Sequence, residues 1–472
     1  MIKIWDLAIF NENTALINEF GKIVSYRELE LEANTVAEKV GRRCLVFSLC
    51  RNEIGSIVGY VGFINNGIVP VLLNAYIDDE LLQNLLGTYQ PSYLWMPRDQ
   101  AAQFQNMWEV YGIEGYVLLR TGYEKEYPLN EELGLLLTTS GSTGSPKFVR
   151  QSYTNVLDNA RSIVKYLELD ETERPITTLP MNYTYGLSII NSHLLVGATI
   201  LVTDKGLMQK EFWNFFKEQE ATSFGGVPYT YEMLDKLRFY RMDLPALRTM
   251  TQAGGKILAE LHEKFAKYAE EHGKKFVVMY GQCEATARMG YLPPEKAVEK
   301  KGSMGIAVPG GKFRIIGAER SDITEPYTTG ELVYEGKNVT LGYAEKGEDL
   351  ALGDERHGVL ETGDMAQFDE DGYYYIVGRK KRFLKIYGNR VNLDEVEHLI
   401  KGRLGIEAAC AGVDDHMYIF VTDENIAGPV RQFVIDKTKL NPAAFKVIAI
   451  AEIPKNDSGK TLYKELTKYY EG

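Results

Sequence analysis

One pattern limits what this chain can fold into more than any other: short apolar runs, each bounded by turn residues, alternate with stretches of helix length through most of the sequence. CLVFSL (44–49), IVPVLL (68–73), SYLWM (92–96), YVLL (116–119), LGLLLTT (133–139), PITTLP (175–180), ATILVT (198–203), ATSFGGVP (221–228) and KFVVMY (275–280) are the runs. Amphipathic segments such as 154–169 and 257–273 stand between several of them. Strands that are apolar on both faces and separated by helices predict parallel sheets covered on both sides. From about Gly310 the texture shifts to alternating strands and turns, KFRIIG, GELVYEG and GYYYIVG, which predicts a smaller and more antiparallel β region. After GRKKR (378–382) comes a short α+β tail, with helices expected over 392–403 and 428–439 and a strand over 417–422. The basic cluster is the candidate hinge, and a solvated turn is the plainer reading of the same charges.

The fold class is therefore α/β: a large N-terminal region (1–378) of parallel-sheet subdomains with a small β subdomain, and a small mobile α+β domain (379–472). A chain of 472 residues suffices for a large core without disulfides. With 53 basic against 65 acidic residues and a net charge of −12, it lacks the basic balance of a dedicated nucleic-acid binder. Four scattered cysteines without a CxxC read as reduced thiols of a cytoplasmic protein, and six histidines without HxxxH spacing argue against zinc. The segment 54–77 holds no charged residue and has the length of a membrane span. Its glycines, with Asn65, Asn66 and Pro70, instead predict a buried helix, a glycine stop and a buried strand. No signal-peptide-like apolar stretch precedes it.

The most informative chemistry lies at 133–149. An apolar strand runs into nine residues, 138–146, that contain six hydroxyls, two glycines and a proline, and Lys147 follows. Glycines let backbone N–H groups curl around an anion, hydroxyls add donors and lysine adds charge, so the segment suits phosphates. It is not a Walker A loop, because GK[ST] is missing, and a flexible Ser/Gly linker is the alternative.

TSGSTGSPK (139–147) resembles the phosphate loop of the adenylate-forming superfamily, which comprises acyl-CoA synthetases, peptide-synthetase adenylation domains and luciferases. Five more segments resemble its motifs in the same order: YGQCE (280–284), GELVYEGKNVTLGY (330–343), ETGD (361–364), GRKKRFLKIYGNRVNLDEVE (378–397) and PKNDSGKT (454–461). The resemblance implies an ATP-dependent ligase. A small carboxylic acid attacks the α-phosphate of ATP, giving an acyl-adenylate and pyrophosphate, and a thiol of coenzyme A or of a carrier protein's pantetheine then takes the acyl group. Such chemistry asks for positioning and charge neutralisation more than for proton transfer.

Carried over residue by residue, the resemblance implies that Thr139, Ser140, Gly141, Ser142, Thr143, Gly144 and Lys147 bind the β- and γ-phosphates. Tyr280 would stack on adenine, Gly254, Gly255 and Gly281 would line the nucleotide and acyl site, and Glu284 would bind Mg²⁺. Asp364, with Arg379 beside it, would hold the ribose hydroxyls. Lys460 would reach the α-phosphate and the substrate carboxylate, Lys381 falls at the hinge, and Gly388 lies on the loop that lines the thiol tunnel. Tyr183, Thr184 and Gly225 fall in the substrate pocket. Taken singly, Glu284 and Asp364 could be turn or cap carboxylates, Lys460 a solvated lysine and Tyr280 a core residue; the joint pattern is what favours the functional roles.

Two departures bear on function. Cys283 stands where the family has threonine, a weaker donor at the α-phosphate position. No acid occurs in NYTYG (182–186), where amino-acid-activating members pair the substrate ammonium, so a fatty, aryl or other uncharged-tail acid is expected. The competing readings are a standalone amino-acid adenylation enzyme that loads a carrier, a degenerate nucleotide-binding relative and a luciferase-like oxygenase. No partner of nucleic acid or membrane type is expected.

Overall fold

The computed structural model describes residues 3–138, 147–380, 382–387, 389–456 and 459–470, apart from the side chains at 389 and 390. Two large sheets form the bulk of it. In the first, strands Lys275–Tyr280, Thr249–Gln252, Ser223–Gly226, Pro175–Ile176, Ile200–Val202 and Thr14–Asn18 lie side by side in parallel, with short antiparallel strands at either edge. In the second, Leu133–Thr138, Val69–Asn74, Leu45–Cys50 and Tyr93–Pro97 are parallel neighbours. The expected parallel sheets are thus present, with antiparallel additions. Phe148–Ser152 returns antiparallel to Leu133–Thr138, Thr138 facing Phe148, because the connection is too short for a crossover.

Helix Ile54–Asn65 lies in the main core, with eleven of its residues buried, and a helix this apolar on every side must be covered all round. Gly67 follows at φ +75°, and Val69–Asn74 is the buried strand beyond it. None of the described helices is long and apolar enough to cross a membrane. Helix Thr184–Leu195 joins the same core, where Tyr60 OH donates to Asn191 Oδ1 at 2.9 Å. Helix Tyr153–Leu167 starts at a capping box in which Ser152 accepts from Asn155 N–H and Asn155 accepts in return.

The β-rich region after Gly310 is a four-stranded antiparallel sheet of Lys312–Ile316, Gly330–Glu335, Val359–Phe368 and Tyr374–Arg379. Beyond it, residues from 384 onward form cores of their own around helices Leu393–Leu404 and Ala427–Thr438 and the sheet Ala409–Val413, His416–Val421 and Phe445–Ala449. That composition matches the expected α+β tail.

Candidate active site

In open parallel sheets, ligands bind beyond the carboxyl ends of the strands. Strand Lys275–Tyr280 ends at such a place, and the chain then turns sharply through Gly281, with Thr286 and Ala287 in left-handed backbone at φ 52° and 93°. A Cβ on Gly281 would overlap the carbonyl oxygen of Ala287, so only glycine closes this turn. The turn presents Gln282, Cys283 and Glu284 to the surrounding elements.

On the four-stranded sheet Asp364 stands opposite Arg379, with Oδ1 at 3.3 Å from Arg379 Nε. Its Oδ2 accepts from Tyr280 OH and, at 2.8 Å, from Gln282 Nε2. Burial holds the Asp364 carboxyl above the usual carboxylate range, while Arg379 and the two donors pull it back. The residues assigned to adenine and to ribose therefore form one bonded unit.

Lys147 Nζ lies 3.5 Å from the centroid of the Tyr343 ring and 3.5 Å from Glu345 Oε1. Tyr343 OH donates to Glu284 Oε1 at 2.7 Å, and Arg356 Nη1 donates to the Glu284 carbonyl at 3.1 Å. Tyr343 and Arg356 were not singled out from the sequence; Tyr343 closes the GELVYEGKNVTLGY segment, while no pattern marks Arg356.

Cys283 is buried, its Sγ 3.9 Å from the carbonyl oxygen of Thr138. Burial, with Glu284 adding to it and Lys460 opposing, pushes its thiol up to about 12, so it stays protonated and can donate. The Thr184 hydroxyl lies beside it. Tyr183, at the start of helix Thr184–Leu195, leans over Gly254: a Cβ there would sit 2.7 Å from Tyr183 OH, and its φ of +84° also favours glycine. Gly255 accepts from Gln252 Nε2 at 2.9 Å, and Gly225 accepts from Thr178 Oγ1 at 2.5 Å.

Lys460 arrives from the C-terminal region. Its Nζ lies 5.9 Å from the centroid of the Tyr183 ring. Burial lowers its pKa, and Arg379 acts in the same direction while Glu284 and Asp364 oppose. Lys460, Tyr183, Cys283, Glu284, Asp364 and Arg379 thus share one site. Thr139, Ser140, Gly141, Ser142, Thr143, Gly144, Lys381 and Gly388 lie outside the described residues.

With this geometry in view, comparison with known proteins is decisive at the level of family. The family model described as AMP-binding enzyme matches residues 5–344. The chain belongs to the AMP-binding enzyme family. Among its curated relatives, oxalate–CoA ligase of Arabidopsis thaliana is 30% identical over 369 residues, covering 71% of this chain and 67% of that protein. The 2-succinylbenzoate–CoA ligase of Bacillus pumilus is 27% identical across 95% of this chain and 93% of its own. The AMP-binding fold extends through the whole chain. The o-succinylbenzoate CoA synthetase of Bacillus subtilis, solved with its acyl-adenylate, superposes with a TM-score of 0.79 at 22% identity, over 96% of this chain and 95% of its own. ATP-bound MatB of Rhodopseudomonas palustris gives 0.80 at 22% identity, over 100% of this chain and 99% of its own. Phe148, directly after Lys147, anchors this segment in the core, its ring centroid 4.8 Å from that of Tyr89.

Proposed function

We propose that this site joins a small carboxylic acid to a thiol, with the residues above in the following roles. The protein is an ATP-dependent, AMP-forming acid–thiol ligase of acyl-CoA synthetase type, with coenzyme A as acceptor. One observation carries the assignment of roles: Lys460 Nζ, from the C-terminal region, sits at the Tyr183 ring, within electrostatic reach of Glu284, Asp364 and Arg379.

In the first half-reaction the substrate carboxylate and the α-phosphate, two anions, must meet. Lys460 would neutralise the charge that builds between them, and its partly buried place strengthens that interaction. Asp364 would hold the ribose hydroxyls through the acceptor capacity that its two donors leave, while Arg379 fixes its orientation. Tyr280 and Gly281, with Gly254 and Gly255, would frame the base and the acyl carbonyl. Lys147 and the hydroxyl-rich loop would take the outer phosphates. The protonated Cys283 thiol would face the α-phosphate, and Tyr183, Thr184 and Gly225 would bound the acid.

Glu284 fits a magnesium ion. Among the described residues its Oε1 accepts only from Tyr343 and its Oε2 has no hydrogen-bond partner, and Mg²⁺ needs just one or two protein carboxylates beside phosphate and water. The ion would supply charge neutralisation on the triphosphate.

We place the boundary at 378/379, so that 1–378 carries the nucleotide and acyl site and 379–472 acts as a lid that delivers Lys460, with Lys381 as hinge and Gly388 on the thiol channel. A cytoplasmic location suits the four buried free thiols. The deciding experiment is acid-dependent ATP–pyrophosphate exchange. We expect exchange with at least one carboxylic acid and its loss, by about 100-fold or more, in Lys460→Ala. Exchange that persists in that variant would remove Lys460 from its role. Coenzyme A supplied to the charged enzyme should then give the acyl thioester, and transfer to a pantetheinylated carrier protein in its place would overturn that acceptor.

A further inference from the structure

Strand Phe148–Ser152, which follows Lys147 directly, pairs antiparallel with the short strand Gly342–Ala344, Val149 opposite Tyr343 and Phe148 opposite Ala344. Continued by one residue, that register sets Glu345 opposite Lys147. Lys147 Nζ accordingly lies 3.5 Å from Glu345 Oε1 and 3.5 Å from the Tyr343 ring centroid. Arg150, buried on the same strand, donates from Nε to the Tyr343 carbonyl at 2.9 Å and so fixes the backbone that carries the ring.

The Tyr343 hydroxyl donates to Glu284 Oε1 at 2.7 Å. Burial and the adjacent Glu284 charge hold the Tyr343 pKa above its ordinary value, so the hydroxyl keeps its proton and meets the carboxylate as a donor. The Glu284 backbone is fixed separately. Its carbonyl accepts from Thr340 N–H at 3.0 Å, from Thr340 Oγ1 at 3.0 Å and from Arg356 Nη1 at 3.1 Å. The Arg356 guanidinium also lies 4.5 Å from the Tyr343 ring centroid. Among the described residues, Tyr343 OH is therefore the one hydrogen-bond donor that sets the direction of the Glu284 side chain. The same tyrosine touches the phosphate-loop lysine with its ring and the candidate metal carboxylate with its hydroxyl.

We propose that Tyr343 is a positioning residue that joins the two halves of triphosphate recognition: its hydroxyl aims the Glu284 carboxylate at a divalent cation, and its ring holds Lys147 for the outer phosphates. The proposal rests on the ligase reading above and deepens it. Removing a group that orients a metal ligand through a hydrogen bond typically costs about 10- to 100-fold in metal affinity. A ring face under a partly exposed ammonium is worth less, about 2- to 5-fold in affinity. The ring attracts the ammonium without neutralising it, so Lys147 keeps its charge for phosphate. Substitution separates the two halves, because Tyr343→Phe keeps the ring and loses the hydroxyl, whereas Tyr343→Leu loses both.

The test is calorimetric titration of the whole protein with ATP, in excess Mg²⁺ and in EDTA, with no acid supplied so that no turnover occurs. We expect Tyr343→Phe to weaken ATP binding by about 10-fold or more in Mg²⁺ and to leave binding in EDTA unchanged. Glu284→Gln should do the same, and adding Tyr343→Phe to it should cost nothing further, since the hydroxyl acts through that carboxylate. Tyr343→Leu should weaken binding in EDTA as well, by about 2- to 5-fold. Equal losses in Mg²⁺ and in EDTA for Tyr343→Phe would assign the residue to packing and overturn the proposal, as would no loss in either. Additive losses in the double variant would overturn it too, and unchanged binding of Tyr343→Leu in EDTA would overturn the part that concerns Lys147. ATP binding by the natural protein that ignores Mg²⁺ would take the cation away from Glu284 and overturn the proposal, with acid-dependent exchange still deciding the ligase reading. No ATP binding under either condition would overturn both.

Discussion

Cys283 shows how far a single side chain can depart from a family pattern without leaving its place. Its thiol sits beside Thr184 and close to Lys460, with Sγ directed at the Thr138 carbonyl. A thiol donates weakly, so replacing it with a hydroxyl of similar size should improve any contact to the α-phosphate. Cys283→Thr is expected to raise the exchange rate severalfold without loss of thermal stability, and an unchanged or lower rate would mean that this position does not touch the reacting phosphate. The same burial makes a second prediction. With its thiol held near 12, Cys283 should resist iodoacetamide in the native protein at pH 8 and react only after unfolding. Fast alkylation of the folded chain would contradict that. Substitution at 283 was visible in the sequence, because a motif surrounds it. Arg356 was not, since a lone arginine carries no period or spacing, and only the fold brings it to the Glu284 carbonyl.

Among the elements, helix Ala259–Glu271 contains a histidine whose charge state is fixed by its neighbours. His262 Nε2 donates to the Ala297 carbonyl at 2.9 Å and Nδ1 accepts from Gly302 N–H at 3.2 Å, an arrangement open only to the neutral ring. Burial lowers its pKa to about 4. Between that value and the ordinary 6.5, the unfolded chain binds a proton that the folded chain does not, so stability rises with pH across this window and falls as the medium is acidified. The slope from this one ring is at most about 1.4 kcal/mol per pH unit. His262→Gln can keep both hydrogen bonds without titrating, and chemical denaturation at pH 4.5 and pH 7 should show a smaller difference in the variant than in the natural protein. Helix Ile54–Asn65 gives a different kind of test. A Cβ on Gly59 would overlap the Trp95 indole, which donates to the Gly55 carbonyl at 2.9 Å, so Gly59→Ala should destabilise the fold by about 1–3 kcal/mol despite its better helix propensity. Gly402, in helix Leu393–Leu404 with open space where its Cβ would be, should gain up to about 1 kcal/mol from the same change. The apolar runs made these inner strands and helices legible in advance. Strand Trp108–Ile113 was missed because its residues are half-exposed or exposed at a sheet edge, and WEVYGI has neither clean alternation nor an apolar core.

At the scale of the whole molecule, the sequence pointed to the two ends of the site but not to how they meet. Tyr183 and Lys460 belong to distant segments, and only the folded chain shows that the C-terminal region is docked with Lys460 inside. Part of that docking is an ion pair between Lys401, on helix Leu393–Leu404, and Glu232, on helix Pro228–Lys236, at 2.5 Å and partly shielded from solvent. If the lid must leave this position before a thiol can reach the acyl-adenylate, contacts that hold it here favour the first half-reaction and oppose the second. Glu232→Gln removes the charge with little change in shape. We expect exchange to fall severalfold, while thioester formation from preformed acyl-adenylate stays level or quickens. Salt should weaken the natural protein's exchange more than the variant's, because the pair is partly exposed and screened. Equal losses in both half-reactions would indicate damage to the fold, and no change in either would show that this pair does not bias the lid. The opposite pattern, faster exchange with slower thioester formation, would mean that the lid works in the reverse sense, with the docked position serving the second step.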